Sequence, residues 1–323
     1  MKAFILAGGF ATRLWPLTEH RAKPMLLVDG QPILGHILNQ IPPEVDIYLL
    51  TNSRFEADFR TYLNSEHRKV EIFCEDTHCD ADKLGALAAV ATAIEHYNIE
   101  DDLLVLAGDN LLPDLDLRLL FPAAGSAHLA LKTVETLDEA RSFGVVEFED
   151  GSSTETLKPV KSFVEKPETP NSTAVSTGFM GISKDLLPDL IAYSKKSPDA
   201  LGAIITEFIA HKHPVAGLLV KGNWFDVGSY EAYLDAHKTL QTESVKIHKT
   251  ALVENCTFEG KVYIGAKAQV KNSVLVDTVI YPRTKLENCH ISQCVIDSDS
   301  DFKGVDLGRK LVRQGTIVYS ENQ

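Results

Sequence analysis

AFILAGGFATRLWPLTEHRAKPMLLVDGQPILGHIL, residues 3–38, is the stretch on which the reading of the chain turns. An apolar strand over Ala3–Leu6 breaks into Ala7-Gly8-Gly9, and Thr12, Arg13 and Lys23 follow before the next helix. Glycines after a buried strand leave backbone N–H groups unshielded, so an anion approaches them closely, and Arg13 and Lys23 add full positive charges. Gly8 and Gly9 alone are also ordinary turn chemistry. The two basic residues, with Pro16 and Pro24 stiffening the backbone between them, move the reading toward a place that holds phosphates. No Gly-Lys-Ser/Thr follows the strand and the stretch lacks G-x-G-x-x-G, so neither the P-loop nor the dinucleotide fingerprint applies.

The 323 residues give room for two domains at about 150 residues each. With 44% apolar residues the chain can bury a full core, while 24% charged residues and a net charge of -13 argue against a nucleic-acid or membrane-surface binder, whose fields are positive. Any phosphate site therefore has to be locally basic. Five cysteines, an odd number, fit a reducing cytoplasm better than a disulfide framework. Cys74, His78 and Cys79 lie close together, but a closed zinc site needs four ligands and no second Cys/His pair at finger-like spacing accompanies them. The chain enters a strand at once, without the regions of a signal peptide, and no apolar run reaches the ~20 residues that span a bilayer. A soluble, cytoplasmic protein is expected.

Up to about residue 110 strand and helix alternate. Strands are expected at Ala3–Leu6, Val45–Thr51, Val70–Cys74 and Leu103–Ala107, and helices at Pro32–Ile41, Phe55–Leu63 and Leu84–Tyr97. Continuous apolar strands separated by helices imply a parallel sheet covered on both faces. Leu84, Leu87, Ala91 and Ile94 recur at helical spacing and read as core. Ligands bind such sheets at the carboxyl ends of the strands, which puts the loops after Leu6, Cys74 and Ala107 on one rim. The middle third mixes β segments at Leu129–Val134, Gly144–Phe148, Ser162–Val164, Val175–Ile182 and Pro214–Val220 with helices near Lys184–Tyr193 and Leu201–His211. A closing helix over Tyr230–Leu240 completes a domain spanning 1–240, and polar Gln241–Lys246 reads as a linker.

From 247 to 323 the period changes. Ile247-x5-Val253, Ile264-x5-Val270, Ile280-x5-Leu286 and Ile296-x5-Phe302 recur at intervals of 17, 16 and 16 residues. Short coils with one inward apolar residue in six stack into a β-helix with a continuous core. Cys256, Ser273 and Cys289 fall in equivalent rungs and read as small packing residues.

The run LAGGFATRLWPLT followed by AKPM resembles the signature of the sugar-1-phosphate nucleotidylyltransferases, G-G-x-G-T-R-L-x-P-L-T and then P-K-P. Ala11 replaces a usual glycine, which still leaves room for a phosphate, and Ala22 a usual proline, which loosens the loop. The resemblance implies a Rossmann-like α/β nucleotidyltransferase domain with a mixed central sheet, followed by a short left-handed parallel β-helix. It implies catalytic roles for Arg13, Lys23 and Asp109, and nucleotide binding by Leu6, Gly8, Gly9, Ala11, Thr12, Glu75 and Gly85. Asp109, in Leu106-Ala107-Gly108-Asp109-Asn110, and Asp226, in Asn223-Trp224-Phe225-Asp226-Val227-Gly228, match the family's two magnesium aspartates. By themselves an Asp and an Asn after a strand are equally turn caps. Phe163-Val164-Glu165-Lys166-Pro167 matches V-E-K-P, which implies sugar contact by Glu165 and phosphate contact by Lys166. Gly144, Thr177, Gly178 and Trp224 belong to segments that line the sugar pocket in the family. Glu75 and the turn to Gly85, lengthened here by Cys79–Asp82, stand in the base-reading region, and the identity of the base stays open.

The activity so implied is magnesium-dependent transfer of a nucleotidyl group from a nucleoside triphosphate to a sugar 1-phosphate, with glucose thymidylyl, glucose uridylyl and mannose guanylyl chemistry all open. A catalytically silent homologue serving as a regulatory or assembly subunit is the alternative. Such proteins lose the charged residues that are all present here. A hexapeptide-type acetyltransferase in the tail has only His248 and His290 to offer and lacks supporting context. The β-helix implies a homo-oligomer.

Overall fold

The computed structural model describes residues 1–9, 12–77, 84–149 and 156–320. In chain order the elements are β1 (Lys2–Leu6), β2 (Leu27–Val28), β3 (Gln31–Pro32), α1 (Ile33–Gln40), β4 (Asp46–Asn52), α2 (Glu56–Leu63), β5 (Val70–Glu75), α3 (Ala86–Tyr97) and β6 (Leu103–Ala107). There follow β7 (Asn110–Leu111), β8 (Ala127–Thr133), α4 (Leu137–Ala140), β9 (Gly144–Phe148), β10 (Leu157–Glu165), β11 (Ala174–Ile182), α5 (Leu187–Ser194), α6 (Ile204–Ala210), β12 (Val215–Leu219), β13 (Phe225–Asp226) and α7 (Tyr230–Leu240). Two compact units emerge. The first joins residues 1–10 to 34–226, and the second joins 11–33 to 227–323.

The first unit is built on a sheet of order β5-β4-β1-β6-β11-β8-β12-β10-β9. The parallel half expected from the apolar runs is there: β1 pairs with β4 and with β6, and β4 with β5, all parallel. Past β6 the sheet turns mixed, because β11 runs antiparallel to β6 and to β8. α3 packs Leu87, Val90, Ala91 and Ile94 into the core and stops at Asn98, whose left-handed φ of +50° caps the helix. Leu84 does not join them. It precedes the helix and is 40% exposed, because Gly85 at φ +94° breaks the periodicity there. A Cβ on Gly85 would lie 2.6 Å from the Pro198 carbonyl oxygen, so only glycine lets α3 start against that turn.

The second unit contains the β-helix, in which three parallel sheets stack partners 16 or 17 residues apart, consistent with a left-handed β-helix. The second, third and fourth coils each turn three corners on residues in the left-handed backbone region. One corner line is Asn255, Asn272, Asn288 and Gly304, at φ of +51°, +48°, +54° and +67°. This gives the repeated Asn-Cys and Asn-Ser pairs a physical cause, since Asn and Gly tolerate that region best. Ser273 and Cys289 then point inward and are buried, and the Cys256 and Cys289 thiols meet carbonyls two residues earlier. The repeat also runs one coil further than the four read in the sequence. Leu311–Val312 and Ile317–Tyr319 extend two of the sheets, with Val312 standing where the earlier coils carry isoleucine.

Gln241–Lys246 is no slack tether. Gln241 is buried, its amide donates to the carbonyls of Glu243, Ser244 and Val262, and a strand over Val245–Ile247 already belongs to the β-helix. α7 starts at Ser229, whose hydroxyl accepts from the Ala232 N–H at 3.1 Å. His237, on its buried face, has its pKa pushed down to about 4 by burial. It is therefore neutral, which leaves Nδ1 free to accept from Asp29 N–H at 3.2 Å. No helix among the described residues is long and apolar enough to cross a membrane.

Candidate active site

The carboxyl edge of the sheet in the first unit collects the candidate residues. Leu6 pairs with both Leu50 and Ala107, and its carbonyl accepts from Gly108 N–H at 2.9 Å. The turn after β1 therefore lies beside the turn after β6. Gly8 and Gly9 have no positive φ, and a Cβ on either would meet nothing within 4 Å. Packing does not ask for glycine there. Their value is the open space over the backbone, and Asn52 Nδ2 fixes that backbone by donating to the Gly8 carbonyl at 2.9 Å.

At the next turn Asp109 is held by its neighbour, since Asn110 Nδ2 donates to Asp109 Oδ1 at 2.9 Å. Trp224 Nε1 donates to Asn110 Oδ1 at 2.7 Å. β7 and β13 pair antiparallel, so that Asp226 lies opposite Asn110. Two aspartates 117 positions apart in the sequence are thus set on adjacent turns of backbone. Carboxylate oxygens in such a pair are hard donors that suit a small divalent cation such as magnesium. The loop before β13 is clasped by Asp114, whose Oδ2 accepts from Asn223 N–H at 3.1 Å.

On the other side, Glu165 at the end of β10 pairs with Gly144 at the start of β9. A Cβ on Gly144 would fall 2.2 Å from Phe163 Cζ and 3.1 Å from Glu165 Oε2, and a Cβ on Gly202 would press the same ring and carboxylate from another direction, at 2.8 and 2.4 Å. Burial raises the Glu165 pKa, with Lys166 opposing. Lys166 takes the left-handed backbone at φ +44° while its N–H donates to the Phe143 carbonyl at 3.0 Å. A non-glycine residue held there is strained, which fixes where its side chain leaves the strand. Gly178 sits in the β11 bulge at φ +79°, with no room for a Cβ, which would stand 2.8 Å from that of Ala107. Thr177 is buried and donates to the Ala130 carbonyl. The Trp224 ring stands edge-on to Phe143 at 5.0 Å, so it links the Glu165 side to the aspartate side.

The family described as Nucleotidyl transferase matches residues 2–243. The chain belongs to the nucleotidyl transferase family. Among its relatives, the bifunctional protein GlmU of Methanocaldococcus jannaschii is 34% identical over 82% of this chain and 60% of its own length. The UTP–glucose-1-phosphate uridylyltransferase AglF of Haloferax volcanii is 30% identical over 76% of this chain and 99% of its own length. The chain thus spans about 60% of the length of the GlmU relatives it matches. A crystal structure of UDP-glucose pyrophosphorylase complexed with UDP-glucose shares the fold, with a TM-score of 0.62 at 20% identity over 74% of this chain and 97% of that one.

Within this nucleotidyl transferase, Arg13 lies in a short 3-10 turn and is exposed, while Lys23 is 9% exposed and opens a second such turn at Lys23–Met25. Ala11 and the Thr12 side chain lie outside the described residues. So do His78 and Cys79, the rest of the zinc reading, and the lengthened turn over Cys79–Asp82. Burial, with Glu56 nearby, pushes the Cys74 thiol up to about 12. Glu75 Oε2 accepts from Leu84 N–H at 3.3 Å, and burial raises its pKa. Asn52, Asn110 and Asp114 were not singled out by sequence. Asn110 carried a signal, directly following Asp109, whereas Asn52 and Asp114 reach their partners only through the fold.

At the opposite edge, Asp189, His211 and His213 bring three donor atoms within 4.8 Å of one another. Hydrogen bonds account for the cluster, because Asp189 Oδ2 faces His211 Nδ1 at 3.0 Å and His213 Nε2 at 2.9 Å. His211 and then His213 hold the Asp189 carboxyl below its usual range, and Asp189 holds His211 above its own. The His211 contribution is complete below the ordinary histidine value of 6.5 and is lost as pH rises through the raised one, while the Asp189 contribution is lost as pH falls below 3.8. His211→Ala should therefore lower the melting temperature more at pH 5.5 than at pH 8.5, as read by thermal melts at both pH values.

Proposed function

We propose that the chain is an enzyme that joins a nucleoside triphosphate to a sugar 1-phosphate, giving a nucleoside diphosphate sugar and pyrophosphate. The observation that carries this reading is the pairing of β13 with β7, which puts Asp226 opposite Asn110 and beside Asp109 on the edge that also carries Gly8 and Glu165. Membership of the nucleotidyl transferase family supports it. A nonbridging oxygen of the sugar phosphate attacks the α-phosphorus, the bond from that phosphorus to the pyrophosphate oxygen breaks, and pyrophosphate leaves with the electron pair. Both reactants are anions, so positioning and charge neutralisation supply the catalysis and no protein nucleophile is needed.

In this reading Arg13 stabilises the leaving pyrophosphate and Lys23 bridges the phosphates. The open backbone at Gly8 and Gly9 takes the triphosphate, with Leu6, Ala11 and Thr12 flanking it. Glu75 and Gly85 face the base. Lys166 holds the sugar phosphate, while Glu165, Gly144, Thr177, Gly178 and Trp224 shape the sugar side. Asp109 and Asp226 would hold Mg²⁺, whose charge, when bound, lowers the negative charge at the reacting phosphorus. The segment 1–240 is assigned the chemistry and the β-helix the assembly of a homo-oligomer in the cytoplasm.

The name of the Haloferax volcanii relative puts UTP and glucose 1-phosphate first in the assay. Mixing protein, Mg²⁺, a triphosphate (UTP, dTTP, GTP, ATP or CTP) and a panel of sugar 1-phosphates should release pyrophosphate with at least one pair. No release with any pair would defeat the reading.

A further inference from the structure

The segment Thr12–Val28 has little backbone pairing of its own. It holds two 3-10 turns and the two-residue β2, which among the described residues pairs only with β3. Backbone groups left in that state need partners from elsewhere, and the C-terminal part of the same compact unit provides them. Tyr281 Oη accepts from Leu27 N–H at 2.9 Å, Tyr233 Oη donates to the Leu27 carbonyl at 2.5 Å, and the two hydroxyls stand 3.0 Å apart. Lys246 Nζ donates to the Asp29 carbonyl and to its Oδ1, at 2.9 and 2.8 Å. Upstream, the Arg21 guanidinium lies 4.7 Å over the Tyr281 ring and donates to Asp297 Oδ1 at 3.0 Å. Arg313 pairs with Glu19 at 2.9 Å and covers the Trp15 ring at 4.7 Å.

Asp297 is the centre of this arrangement. Its side chain is 4% exposed, and its Oδ1 also accepts from Ser298 N–H at 2.7 Å. One carboxylate thus ties a β-helix coil to the loop. Removing one partner of a buried pair leaves the other charge uncompensated, which is far costlier than losing a surface pair. Tyr281 acts differently, through one hydroxyl that satisfies a loop N–H and one ring face that seats Arg21.

We propose that the β-helix is the seat of the nucleotide loop, and that Asp297 and Tyr281 are positioning residues that fix the backbone carrying Arg13 and Lys23. This rests on the reading that those two residues hold the triphosphate. The coils then order this loop in addition to any part they take in assembly.

The test uses the full chain with Asp297→Asn and Tyr281→Phe. Asp299→Asn is the control, since it makes the same charge change in the same coil, where the carboxylate pairs with Arg283 and Gln314. Hydrogen exchange over residues 12–28 should quicken in both test variants, and the triphosphate KM should rise about tenfold. The sugar 1-phosphate KM and the exchange of the β-helix strands should stay at the control's values. Tyr281→Phe removes a single oxygen, so it keeps the experiment decisive where Asp297→Asn folds poorly. Unchanged loop exchange, an unchanged triphosphate KM, or equal rises in both KM values overturn the proposal. Arg13→Ala separates the two layers: if it abolishes turnover while the test variants behave as the control, only the positioning proposal falls. If Arg13→Ala retains full turnover, the reading beneath falls with it.

Discussion

Asp109→Asn and Asp226→Asn should each lower turnover by about 200- to 900-fold while leaving the melting temperature near that of the parent. The magnitude follows from the charge each carboxylate is proposed to bring to the metal, at about 3–4 kcal/mol for one electrostatic interaction made in the transition state. The backbone that sets the two aspartates side by side does not depend on their carboxylates. Asn110 Nδ2 still finds an acceptor in the new amide oxygen at position 109, and the β7–β13 ladder is made by backbone. The two substitutions together should cost little more than one, since groups serving one cation act as a unit. Pyrophosphate release at saturating substrates, across a magnesium titration, measures all three proteins. Turnover within threefold of the parent in either single variant would remove the metal role from that aspartate.

Gly144→Ala should be the most damaging small substitution on the sugar side. The added methyl would stand 2.2 Å from Phe163 Cζ, well inside van der Waals contact, and the ring has nowhere to retreat. Phe163 is 3% exposed, and Gly202 presses it from another side, its own Cβ position 2.8 Å from the same atom. Overpacking of this kind costs about 1–3 kcal/mol. Because the displaced ring adjoins Glu165, the KM for sugar 1-phosphate should rise about tenfold while the triphosphate KM stays put. Gly9→Ala is the informative opposite. Its Cβ meets nothing within 4 Å and its φ is not positive, so stability should be unchanged while the triphosphate KM rises. Thermal melts with both KM values distinguish the cases. A Gly144→Ala protein as stable as the parent would show that Phe163 has room not apparent from its two glycine neighbours.

The sequence carried those parts of the fold whose signal is local. Apolar runs gave the parallel half of the sheet to within a residue or two, and Ala7-Gly8-Gly9 marked the turn after β1. The β-helix was legible because each coil must place an apolar residue inward, and that residue recurs at 16 or 17 positions. Its fifth coil escaped notice because valine replaces the leading isoleucine. Leu84 misled because a periodic leucine looks like core until Gly85 breaks the helix in front of it. The motifs point to Asp109 and Asp226, but not to the Trp224–Asn110–Asp109 chain, since Trp224 and Asn110 lie 114 positions apart. The seating of the nucleotide loop was hidden for the same reason. Arg21 and Asp297 are separated by 276 positions, and no spacing rule connects one arginine to one aspartate over that distance.

The sharpest single measurement follows oxygen through the reaction. Sugar 1-phosphate carrying oxygen-18 in its nonbridging phosphate positions is turned over with an unlabelled triphosphate, and both products are weighed by mass spectrometry. Direct attack on the α-phosphorus places all of the label in the nucleotide sugar and leaves the pyrophosphate unlabelled. Label in the pyrophosphate, or no nucleotide sugar at all with the whole panel of substrates, would contradict the account.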